Sequence, residues 1–160
     1  MRENCLNVGA FDELEKTPYE TGPVENINGA LRAFVESYDH LQLVLQKEFA
    51  YMGEVLRATM YAPVTFWGER PPISLYEIGI THSPHGTTAG KYSMNEEKLK
   101  EALRFRAWEA RMLFVQDETG ILDRLCNILM DFRGHELPDD VYSATVRFLN
   151  ESRRLRAMWS

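Results

Sequence analysis

Cysteine is scarce in this chain, with only Cys5 and Cys126 among 160 residues. No Cys-x-x-Cys pair occurs, so neither a cysteine-built zinc site nor a disulfide framework is indicated, and the expectation is two free, reduced thiols. Long apolar runs are missing too. No stretch approaches the ~18 residues of a membrane span, and acids interrupt the N-terminal MRENCLNVGAFDELEKTPYE where a signal peptide would be apolar. The expected location is therefore the cytoplasm or the inside of an assembled particle, neither secreted nor in a membrane. Basic charge is also short: 18 Lys and Arg face 24 Asp and Glu, a net charge of −6. That balance argues against broad contact with nucleic acid or anionic lipid.

What is present is 44% hydrophobic and 26% charged, the make-up of an ordinary globular chain of one domain over residues 1–160. Residues 1–22 mix acids with scattered apolar residues and read as an irregular arm. Pro23 suits a first helical turn, where its missing N–H is not needed. From there Val24, Ile27, Leu31, Phe34, Tyr38, Leu41, Leu45, Glu48, Met52 and Val55 recur at alternating spacings of three and four, a coiled-coil-like heptad seam broken only by Glu48. Flanking apolar residues widen that face, which predicts a bundle helix over 23–62.

Segment 63–93 holds four prolines, so no long helix can cross it, yet it is too apolar for a linker. It is expected to dock on something as an irregular loop, with a short strand near 73–80. Ser93-x-x-Glu96 reads as a capping box opening a helix over 94–133, kinked or split at Asp117-Glu118-Thr119-Gly120. Leu99, Leu103, Ala107, Ala110 and Phe114 belong to its expected buried face. Pro138-Asp139-Asp140 opens a C-terminal helix over 138–158, with Val141, Thr145, Phe148, Leu155 and Trp159 on one face.

At 1.5 Å per residue a helix over 24–62 would be about 58 Å long, against roughly 40 Å for the diameter of a globule of this size. Either the bundle is elongated or partner chains cover the seam.

Chemical signatures are thin. HGTTAGKY, residues 85–92, approaches a phosphate-binding loop, but Gly86 and Gly90 stand one residue too close and Tyr92 replaces the metal-binding hydroxyl. His82 and His85 fall short of a zinc ligand set. Glu36 and His40 share a helix face, but the chain has no Glu-x-x-His of the di-iron kind. Glu36-x-x-Asp39 and Glu136-x-x-Asp139 are paired acids of the sort that hold magnesium around a triphosphate, giving the alternative of an all-α nucleotide hydrolase. Glu48, in an apolar seam, must be paired or reach solvent, and the second is favoured. Arg147, Arg153, Arg154 and Arg156 beside Trp159 form a basic end that could dock an acidic partner surface, as in a regulatory adaptor, or RNA.

The expected fold is mainly α: an elongated helical bundle with two long helices, a shorter C-terminal helix, an N-terminal arm and a long apolar loop. The expected function is a non-enzymatic structural or assembly subunit of a larger complex, by analogy with small subunits of viral or phage particles and large enzyme assemblies. Its partners would be other protein subunits, in a homo- or hetero-oligomer, with no cofactor and no metal. The contacts would be made by Val24, Ile27, Leu31, Phe34, Tyr38, Leu41, Leu45, Met52, Phe66, Trp67, Arg153, Arg154 and Trp159.

Overall fold

Pro23 opens helix α1 (Pro23–Glu48), and its fixed φ suits that first helical position. The computed structural model describes residues 23–66, 68, 70–83, 91–133 and 136–159, and it is mainly helical. Among those residues there are six α-helices: α1, α2 (Ala50–Tyr61), α3 (Glu96–Phe105), α4 (Ala107–Val115), α5 (Ile121–Arg133) and α6 (Asp139–Met158). Strands β1 (Ile80–Ser83) and β2 (Lys91–Met94) pair antiparallel, Ile80 opposite Met94 and Ser83 opposite Lys91.

The seam helix is not continuous. Phe49 leaves helical geometry at φ −125 and ψ 41, and the chain turns back there. Residues 11 apart in a straight helix would stand about 16 Å from each other. Instead, the Gln42 Nε2 donates to the Gly53 carbonyl at 2.8 Å and to the Tyr38 hydroxyl at 2.8 Å. A Cβ on Gly53 would stand 2.8 Å from the Gln42 Oε1, so a glycine is what admits the buried amide. Outside the bend, the Phe49 ring meets Phe132 edge-on at 5.3 Å. These tertiary contacts hold a corner that no proline marks. The expected helix over 23–62 is thereby corrected to two shorter ones, and the length argument for covering partners falls with it.

Glu48 ends α1 and is exposed, so the seam closes before the carboxylate would need burial. The described seam residues before it, from Ile27 to Leu45, are buried, but inside this chain. α1 lies along α6, its most extensive partner, and also meets α2 and α3. Phe34 packs on Phe148 at 5.1 Å and edge-on to Phe114 at 6.0 Å, while Tyr38 reaches Phe148 at 5.9 Å. Hydroxyls carried into this core are satisfied by carbonyls of the preceding turn, Ser37 by Phe34, Thr145 by Val141 and Ser152 by Phe148, each at 2.8 Å.

The described part of the proline-rich segment docks on its own chain. Val64 and Ile73 exchange backbone hydrogen bonds of 2.8 and 3.0 Å and are both buried. The Gln116 amide donates to Thr65 O and the Arg124 guanidinium to Ala62 O, each at 3.1 Å. The strand expected near 73–80 is displaced to Ile80–Ser83, because Leu75–Ile78 form a 3₁₀ turn closed by Ser74 and Glu77. Burial works to raise the Glu77 pKa, but bonds from the Ser74 hydroxyl and N–H outweigh it and hold the carboxyl below the usual carboxylate range.

The capping box expected at Ser93 is not used. Ser93 lies in β2, and Asn95 caps α3 by accepting from Lys98 N at 3.1 Å. The expected break near 117–120 is present. Glu118 takes a positive φ of 67, and a Cβ on Gly120 would stand 2.7 Å from two carbonyl oxygens. A second break at Arg106 separates α3 from α4, and the periodicity did not announce it. α6 runs as expected from the Pro138 start, with Val141, Thr145, Phe148, Leu155 and Trp159 all buried.

Cys126 is buried on α5 and disulfide-bonded, and no described cysteine is free. This corrects the expectation of a reduced thiol there, since spacing along the chain says nothing of which sulfurs meet in space. Cys5 lies outside the described residues.

Candidate functional site

The acids of the hydrolase alternative do not converge. Glu36 is exposed on α1, Glu136 and Asp139 are exposed around the start of α6, and Asp39 is half-buried with its Oδ1 accepting from Tyr92 N at 3.3 Å. Among the described residues no group of three or more His, Cys, Asp or Glu could hold a metal ion. His82 stands in β1, whereas His85 and the rest of the glycine-rich stretch up to Gly90 lie outside the described residues. Lys91 begins a strand, whereas a phosphate-binding lysine would begin a helix.

The basic C-terminal end is also dispersed. Trp159 is buried and stacked on Phe114 at 5.2 Å, so it belongs to the core and offers no docking face. Arg156 approaches the buried Asp123 at 3.5 Å, Arg153 donates to Asn150 Oδ1 at 3.4 Å, and Arg154 lies 3.8 Å from Glu151. Of the other expected contact residues, Ile27, Leu31, Phe34, Tyr38, Leu41, Leu45 and Phe66 are buried and Met52 is half-buried against the core. Nothing is described for the Val24 side chain or for Trp67.

Two clusters emerge instead. The first is enclosed, where the hairpin meets α1 and α2. Tyr38 and Tyr92 meet at 5.4 Å, His82 and Tyr92 at 5.2 Å, and Tyr61 touches Tyr76 at 5.0 Å and His82 at 5.9 Å. Burial pushes the Tyr38 hydroxyl well above the ordinary tyrosine range, against the opposing pull of the Gln42 hydrogen bond and the Arg57 charge. Tyr92 is raised in the same direction, first by burial and then by Tyr38. Both phenols therefore stay protonated at neutral pH and cannot serve there as bases or nucleophiles. The Tyr92 hydroxyl and the His82 Nε2 are buried without a protein hydrogen-bond partner. The crevice lined by Tyr61, Leu75, Tyr76, Ile80 and Tyr92 is too narrow to admit a water molecule. This cluster pins the hairpin to the helices and has no room for a ligand.

The second cluster is open. Arg104, Phe105, Arg106, Ala107 and Trp108 are all exposed in succession, because the break at Arg106 turns both helix ends outward. Phe105 is 79% exposed and Trp108 46%. Trp108 rests on Phe66 at 5.4 Å, and the Arg70 guanidinium lies 4.5 Å from its ring centroid. Exposed Arg111 follows one turn later on the face of Trp108. Arg106 donates to Glu109 Oε2 through Nε at 3.0 Å and Nη2 at 2.5 Å. Ala107, expected on the buried face, is exposed. A phase error was the available signal: neither Phe105 nor Trp108 falls on the three-and-four spacing that Leu99, Leu103 and Ala110 share.

A wider groove of about 400 Å³ runs along the outer face of α6, beside Tyr142, Val146, Arg147 and Asn150. Its Ser143 has no histidine beside it among the described lining residues, so it lacks the base a serine nucleophile requires. Against known proteins the chain stands apart: no family model, curated protein or solved structure matches it.

Proposed function

We propose that this chain is a non-enzymatic structural or assembly subunit that contacts neighbouring protein chains through the α3–α4 corner. The observation that carries this reading is the exposed pair Phe105 and Trp108, flanked by arginines, beside helices whose described seam residues are buried against each other. Aromatic residues and arginine are the types enriched at the centres of protein interfaces, and an exposed aromatic left by a bend is where such an anchor would stand. The seam of α1 supports the reading less than its sequence suggested, because α6 already covers it.

Light scattering across a concentration series, with co-purification from the native cell, tests the proposal on the wild type and on Phe105→Ser/Trp108→Ser. The expected result is a defined oligomer or a stoichiometric partner that the double variant loses while remaining folded. An assembly unchanged in the variant would contradict the proposal. So would magnesium-dependent nucleotide turnover that Glu36→Gln abolishes.

A further inference from the structure

We infer that the α3–α4 corner takes an extended acidic segment of a partner protein carrying an apolar side chain; this rests on the assembly reading above. Arg70, Arg104, Arg106 and Arg111 are exposed at or beside the corner of a chain whose net charge is −6. The nearest acid on α4, Glu109, is taken up by Arg106, whose charge also reaches the exposed Glu77, while Glu101 stands exposed one turn before Phe105. Among the described residues these four arginines outnumber the three carboxylates, so the corner is locally positive on a negative molecule and its complement is a short run of carboxylates.

Guanidinium groups suit that complement because their planar fork can hold a carboxylate through two hydrogen bonds. The apolar half of the site is supplied by Phe105 and by Trp108, whose ring is steadied by Phe66 and Arg70. An apolar side chain seated on these rings would gain burial that a purely acidic segment could not.

Nucleic acid fits less well. Its long polyanion would extend past the corner into the field of an acidic chain, whereas a peptide with a few carboxylates ends where the arginines end.

The probe is a short labelled peptide of glutamate and serine with one central leucine. Its controls are the same peptide with lysine for glutamate and a labelled oligothymidylate of equal length. Anisotropy is read with the full chain at low and high salt. The acidic peptide should bind about tenfold or more tightly than the lysine peptide, and weaken as salt rises. Arg104→Glu/Arg111→Glu should lose about tenfold or more of that affinity with an unchanged unfolding midpoint.

Equal binding of both peptides, or affinity untouched by the charge reversal, would overturn the inference. Tighter binding of the oligothymidylate through the same arginines would overturn it in favour of nucleic acid, and a chain that only self-associates there would overturn it in favour of a second copy. If the peptide fails while Phe105→Ser/Trp108→Ser still dissolves the native assembly, the acidic partner alone is wrong. If that variant leaves the assembly intact, the assembly reading falls as well.

Discussion

The α1–α6 seam and the α3–α4 corner are both rich in aromatic residues, and they meet opposite fates. Phe34, Tyr38 and Phe148 stack on one another out of water, whereas Phe105 and Trp108 stand in it. The difference lies in phase. The seam residues recur at helical spacing on both helices, so each stripe finds the other and closes within the chain. Phe105 and Trp108 fall off that spacing, and the break at Arg106 leaves them outside. A regular apolar stripe is therefore weak evidence for a partner when the chain contains a second one. An irregular aromatic left exposed beside charge points outward more directly.

That contrast can be broken most forcefully from the seam. Phe34→Ala removes a ring packed between Phe114 and Phe148 and should cost about 3–5 kcal/mol in denaturant unfolding. A loss under about 1 kcal/mol would mean that the seam is not closed by α6. Next in size is the tight turn before α5. Gly120→Ala forces a methyl against the Phe114 and Gln116 carbonyls, which cannot swing aside as a side chain could, and should cost about 1–3 kcal/mol. The bend at Phe49 is probed by Gln42→Ala, which strips the amide donor from the Gly53 carbonyl and Tyr38 hydroxyl and should cost about 1–2 kcal/mol.

Alkaline pH offers a graded lever on the enclosed tyrosines. Tyr38 and Tyr92 hold their protons more tightly when folded than unfolded. The stability they contribute is therefore complete below the ordinary tyrosine value near 10 and is lost as pH rises beyond it, at up to about 1.4 kcal/mol per pH unit for each phenol. Tyr92→Phe should flatten that alkaline slope. The smallest effect on stability is expected at the corner, where Phe105→Ser, at a ring 79% exposed, should shift unfolding by less than about 0.5 kcal/mol.

Much of the fold was legible along the chain. The seam residues, the break near Gly120 and the last helix follow from spacing, glycine and proline, all of which act over a few residues. The corner at Phe49 was not legible, because it depends on Gln42 meeting Gly53 and on Phe49 meeting Phe132, contacts that exist only once the chain has turned. Ser93 misled because β-pairing with Thr81 outcompeted its capping role and left Asn95 to cap the helix. The site residues suffered most. Spacing identified apolar side chains without revealing which would be covered, so Trp159 entered the core although its arginine neighbours suggested a surface. Phe105 and Trp108, the residues that matter most to the proposed role, were hidden as interruptions in a pattern.

Photo-crosslinking in the native cell separates corner from seam most directly, with benzoyl-phenylalanine placed at Phe105 in one variant and at Met52 in another. Met52, on α2, continues the apolar spacing of the seam past the bend and is half-buried, so it should tolerate the probe. A discrete product joined to another chain is expected from Phe105, and only internal products from Met52. Intermolecular products from Met52 with none from Phe105 would contradict it, and would return the interface to the seam.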